Sequence, residues 1–123
     1  MVIESRHVLA VRDLSLSADY FRRCLGFAGT SPCAGWEMLS LGTFTVLLGE
    51  CPDAMPAART GDHAYFANII VDDVDRYYES FEKNGALLES PPGNRPWGLR
   101  EIVVRTPDGH RMVFASECPT PES

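Results

Sequence analysis

Two stretches decide the fold: VRDLSLSADYFRRCLGF over residues 11–27, and VDDVDRYYESFEKNGA over residues 71–86. Both begin with the last valine of a strand-like run and reach an aspartate suited to capping a helix N-terminus two residues on, Asp13 and Asp73. After Asp13, Leu14, Ala18, Phe21 and Leu25 recur at the spacing of one helix face, and Gly26 stops the pattern. After Asp73, Val74, Tyr78 and Phe81 form the matching face, and Gly85 stops it. Val11 and Val71, Asp13 and Asp73, Leu14 and Val74, and Phe21 and Phe81 each stand sixty positions apart (71 − 11, 73 − 13, 74 − 14, 81 − 21). That spacing predicts a duplicated unit.

The flanking residues extend the match. Residues 4–11 read as a strand, 27–28 start a short one, and 36–41 with 44–49 form a hairpin turning at Gly42-Thr43. Residues 51–62, with Pro52, Pro56 and Gly61, read as a linker. The order then restarts with a strand at 65–71, the second helix and a short strand at 86–88. A Pro/Gly-rich loop covers 91–98. A strand at 101–105, a turn at Pro107-Asp108-Gly109 and a last strand at 111–115 complete the unit. The polar tail from Pro119 reads as a frayed end. The expected class is α+β, one domain over 1–123: a first strand-helix-strand-strand-strand module over about 1–50, a linker over about 51–62 and a second module over about 63–118.

Composition narrows the function. The 123 residues carry 17 acids against 11 bases, a formal charge of −6, with no basic run to neutralise phosphates. Nucleic acid is therefore disfavoured as a partner. An acidic surface either attracts cationic ligands or serves solubility. No apolar run reaches membrane length, so no membrane partner is expected. Met1-Val2-Ile3 is followed at once by Glu4 and Arg6, unlike a signal peptide. The default placement is cytoplasmic. The four cysteines, Cys24, Cys33, Cys51 and Cys118, form no C-x-x-C pair, so neither a zinc knuckle nor a dithiol site is signalled. Nucleophile-elbow, P-loop and dinucleotide fingerprints are missing too.

Val11-Arg12-Asp13-Leu14, Tyr20-Phe21, Leu25-Gly26-Phe27 and Thr106-Pro107-Asp108-Gly109 together resemble the glyoxalase/bleomycin-resistance/extradiol-dioxygenase superfamily. The resemblance implies two modules forming a curved mixed sheet around a cleft, with helices on the convex face and dimerisation as the default. It also implies four metal-ligand positions on the first and last strands of each module, pointing into the cleft. Counted from Val11, the hairpin, Val71 and Gly109, these fall on Arg6, Leu48, Phe66 and Val113. A guanidinium has no usable lone pair, and Leu, Phe and Val offer no donor. The resemblance therefore points to a metal-free scaffold without a cofactor. His7 lies one residue past its position, so it is expected to turn toward the helix side. His63 and His110 are expected to be solvated.

Pro96-Trp97-Gly98, Arg100-Glu101, Arg105 and Val113-Phe114 resemble the C-terminal signature of the bleomycin-resistance branch, with Leu99 as an extra residue. That likeness implies an acidic homodimer that sequesters a cationic, planar-ended antibiotic without altering it. Trp97 suits stacking. Trp36, Phe44 and Phe66 either line the same cleft or pack in the core, and Asn68 either orients a polar ligand group or satisfies the backbone. The expected ligand-binding set is Trp97, Phe66, Trp36, Phe44, Arg6, Asn68, Glu101, Leu48 and Val113, with no catalytic residue. The segment Ala67-Asn68-Ile69-Ile70 is less aromatic than that branch's, which implies a smaller guest. The competing expectation is a metal-dependent lyase, isomerase or dioxygenase using a displaced set of His7, Glu50 and Glu117. A third is metal-free catalysis with Arg6 as oxyanion partner and Glu101 as base.

Overall fold

Helices α1 (Leu14–Arg23) and α2 (Val74–Lys83) each run ten residues, at the same sixty-residue offset as the capping aspartates. The Asp13 carboxylate accepts from the Leu16 N–H at 3.0 Å, and the Asp73 carboxylate from the Arg76 N–H at 3.3 Å. Gly26 and Gly85 close the two helical segments at φ +81°, a conformation that costs other residues strain. Each first helical N–H is also met from the end of its own module. Glu50 accepts from Leu14 at 2.9 Å, and the Ser116 hydroxyl accepts from Val74 at 3.0 Å.

The computed structural model describes residues 1–118; the tail from Pro119 lies outside the described residues. The first sheet comprises β1 (His7–Val11), β2 (Ala28–Thr30), β3 (Trp36–Leu41) and β4 (Phe44–Glu50), in the order β1-β4-β3-β2. The second comprises β5 (Tyr65–Ile70), β6 (Leu87–Leu88), β7 (Gly93–Asn94), β8 (Leu99–Arg105) and β9 (Arg111–Glu117), in the order β5-β9-β8-β6 with β7 also on β8. In both, the first strand runs parallel to the last. The linker folds into two 3-10 turns, Ala57–Arg59 and Gly61–Ala64. Two details depart from the pattern reading. β1 starts at His7, and the Pro/Gly-rich loop contributes β7 while β8 starts at Leu99.

Alternation assigns each sheet an inward and an outward face. Leu9, Val11, Val46 and Leu48 of the first sheet and Ile102, Val104, Met112 and Phe114 of the second join Phe21 and Phe81 in one continuous core. The Phe44 ring sits edge-on between Phe27 at 5.5 Å and Phe114 at 6.4 Å, so it belongs to both modules. The Tyr20 hydroxyl of α1 donates to the Arg105 carbonyl and accepts from the Leu87 N–H at 2.9 Å. Asp108, buried in the turn before β9, accepts from the Arg12 guanidinium at 3.0 Å and the Ser17 hydroxyl at 3.4 Å. These contacts turn two repeats into one folded unit. They also use up the inward faces, so ligand chemistry is left to the outward ones.

Candidate ligand-binding site

The outward face of the first sheet is mostly apolar. Val8 lies opposite Leu47, Met38 opposite Leu47 from the other side, and Trp36 opposite Gly49. A Cβ at Gly49 would stand 2.8 Å from the Trp36 ring, so only glycine lets the indole lie flat on β4. Arg6, Pro32 and Cys33 join Trp36, Met38 and Leu47 around a hollow of about 330 Å³. That is within reach of a small organic guest. The Arg6 guanidinium lies alongside and bonds Glu4 at 3.1 Å.

The outward face of the second sheet mixes charged and apolar residues. Tyr65, Arg111 and Arg105 form one row, Asn68, Val113 and Val103 the next, and Ile70, Ala115 and Glu101 the third. The Arg111 guanidinium stands 4.4 Å above the Tyr65 ring. Glu89 ties Arg105 at 2.7 Å and Arg111 at 3.7 Å. Beyond Glu101 a tight turn at residues 95–98, with Pro96 second, raises Trp97 above the sheet. The Gly98 N–H donates to the Arg95 carbonyl at 3.1 Å, and the Arg95 N–H to the Leu99 carbonyl at 2.7 Å. The Trp97 side chain is held at one point, where its indole N–H donates to Glu101 at 2.9 Å, and the residue remains 65% exposed.

Of the residues expected to bind a ligand, the structure puts Arg6 and Trp36 on the first outward face, and Asn68, Glu101, Val113 and Trp97 on the second. Three expectations are corrected. Leu48 is fully buried: the parallel register pairs it with Leu9, so both point inward and Leu47 takes the outward position. Phe44 packs in the shared core. Phe66 falls at a β-bulge between Tyr65 and Ala67, which turns its ring inward against His7 at 6.0 Å and Phe44 at 6.4 Å. An inserted residue inverts the alternation that counting assumes.

Trp97 does not line the hollow at Trp36. The hollow at Trp36 draws all its lining from the first module, whereas Trp97 rests on the second. Met38, Leu47, Arg95 and Arg111 escaped the sequence reading. Leu47 follows from Val8 once the β1–β4 register is known, but the others carry no local signal.

A divalent metal finds no fitting donor set at the central outward positions. Arg6, Leu47, Asn68 and Val113 supply one amide and neither imidazole nor carboxylate. The displaced set does not converge either. His7 packs inward, edge-on to Phe44 at 5.2 Å, with Nδ1 unpartnered. Glu50 pairs with Val11, four residues up from the Val46 that faces His7, and caps α1. Glu117 is exposed at the end of the other sheet. Among the described residues, no three His, Cys, Asp or Glu side chains gather closely enough to hold a metal ion. His110 is less solvated than expected. It lies against Phe66 at 6.0 Å, with Nδ1 3.1 Å from the Thr106 hydroxyl, and burial pushes its imidazole below the usual histidine range. No described helix is long and apolar enough to cross a membrane.

Solved structures with this architecture are numerous. The chain superposes on TioX from Micromonospora sp. ML1 with a TM-score of 0.76 and 24% identity, covering 95% of this chain and 100% of that one. For the bleomycin resistance determinant encoded on transposon Tn5, the TM-score is 0.77 and the identity 22%, over 94% and 98% of the two chains. A superfamily member from Sphaerobacter thermophilus DSM 20745 gives 0.73 and 20%, over 95% and 98%. These likenesses establish the fold. No match to the chain was found among curated protein sequences. Residues 5–114 match the family description that spans both modules, and the chain therefore belongs to the glyoxalase/bleomycin resistance protein/dioxygenase superfamily.

Proposed function

We propose that this protein is a metal-free, non-catalytic binder that sequesters a small cationic organic molecule of the antibiotic type, as a homodimer. The observation that carries the reading is the pair of outward faces. Each presents a tryptophan at the surface, Trp36 on Gly49 and Trp97 on Glu101, and each is left bare by a core that lies on the other side of its sheet. Val8 and Ile70, 64% and 62% exposed, are further apolar surface without cover. Docking the first face of one copy on the second face of another would form two equivalent clefts, each with an aromatic wall from either side. A flat aromatic guest between such walls gains stacking and desolvation, and the acidic chain favours positive charge on it.

The direct test is a calorimetric and tryptophan-fluorescence titration with bleomycin-type glycopeptides, alongside sedimentation of the free protein. A saturable signal at one molecule per chain on a dimer is the expected result. A flat titration across several cationic glycopeptides overturns the sequestration reading. A monomer at binding concentrations overturns the shared cleft.

A further inference from the structure

We propose that Glu101 is the receptor for a guanidinium or ammonium group of the guest, and that Arg95 occupies this receptor in the free protein as an exchangeable internal counter-ion. The inference rests on the binding role proposed above and names the chemistry of one part of that site. Glu101 is enclosed: its side chain is 12% exposed, against 24% for Glu89 on the same face. A carboxylate so placed needs a cation or hydrogen-bond donors to offset lost hydration. One oxygen is satisfied by the Trp97 indole N–H at 2.9 Å. The other faces Nε of the Arg95 guanidinium at 3.5 Å.

That contact is poor for this protein. Arg100 grips Asp75 through Nε at 2.9 Å and Nη2 at 3.0 Å, the fork geometry that makes guanidinium pairs strong. Arg95 makes no such fork with Glu101, and its side chain is 39% exposed. Leaving Glu101 therefore costs Arg95 little, because water can take over its solvation.

The ground around Glu101 is cleared for a visitor. Its cross-strand neighbours on the outward face are Ala115 and Gly93, among the smallest residues available. A Cβ at Gly93 would come within 3.3 Å of Arg95 Nη1, so the guanidinium lies over bare backbone. Withdrawing Arg95 uncovers the backbone of Gly93, with the Glu101 carboxylate across the strand pair from it and Trp97 bonded to that carboxylate. A guest cation entering there meets a carboxylate already oriented by an indole N–H, and its organic body lies beside the ring. Arg95 then lowers the apparent affinity by the fraction of time that it holds the receptor. It also discriminates: a neutral guest cannot replace the charge that Arg95 supplies.

Calorimetry with benzylguanidinium and its neutral isostere benzylurea tests this in the full chain. Arg95→Gln should tighten benzylguanidinium about five-fold or more and leave benzylurea unchanged. Glu101→Gln keeps an acceptor for the Trp97 indole and should weaken benzylguanidinium about ten-fold or more, again sparing benzylurea. Thermal melts confirm that both variants remain folded. Unchanged or weaker benzylguanidinium binding in Arg95→Gln overturns the exchange. If both probes bind all three proteins alike, the cation receptor falls while the aromatic cleft stands. If neither probe binds any of them, the cleft falls with it.

Discussion

The inward faces of the two sheets agree closely, whereas the outward faces do not. Leu9 and Val11 in β1 are answered by Ile69 and Val71, and Phe21 by Phe81, all sixty apart and all packed in or against the same core. On the outward side the same offset sets Val8 against Asn68 and Ala10 against Ile70. The first face is an apolar hollow beside Arg6, and the second is a network of Glu89, Arg105 and Arg111 beside Glu101. Packing explains the contrast. Inward residues must fill one shared volume at close to crystalline density, so neither copy can change freely. Outward residues meet solvent or a guest, and the two copies are free to specialise.

The comparison can be broken most forcefully from inside. Phe114, fully buried among Phe44, Tyr77 and Phe81, should cost about 3–5 kcal/mol on Phe114→Ala, read from urea unfolding. A loss well under that would mean the modules do not share a core. Tyr20→Phe removes the hydroxyl that joins α1 to β6 and β8, and should cost about 1 kcal/mol. The Tyr20 phenol is pushed up to about 12, chiefly by burial, from an ordinary value of 10.0. Since the folded value lies above the unfolded one, its contribution is complete below pH about 10 and is lost as pH climbs through about 12. The stability gap between wild type and Tyr20→Phe should therefore narrow across that window.

Asp13→Ala and Asp73→Ala, the equivalent caps, should each cost about 1 kcal/mol and match one another. Unequal losses would show that Glu50 and Ser116, which meet the neighbouring first N–H groups, are not equivalent supports. The smallest effect belongs outside: Val8→Ser should change stability by no more than about 0.5 kcal/mol. The same substitution should still weaken guest binding in the titrations described above.

Local sequence signals were strong where one residue type does a local job. Asp13, Asp73, Gly26 and Gly85 cap and terminate helices without help from distant residues, and both helices stand where they place them. Trp97 was readable as a surface residue because Pro96 and Gly98 surround it. Strand parity proved fragile. Leu48 and Phe66 were misplaced by one pairing and one bulge, since a single-residue slip carries a side chain through the sheet. Phe44 was equally consistent with cleft and core, and the partners that settle it, Phe27 and Phe114, lie on other elements. Arg95 gave no sign at all, as its meaning depends on Gly93 and Glu101 across β7 and β8.

By itself, then, the sequence determined the duplication, the two helices, the main strands around them and the family, because capping, turn chemistry and periodicity act within a few residues. Tertiary structure alone decided which faces remain open, because that depends on how two amphipathic modules bury one another. It also decided that the enclosed carboxylate of Glu101 meets, besides the Trp97 indole N–H, a loosely held guanidinium, because a distance between side chains on different strands is set by the sheet and by nothing local.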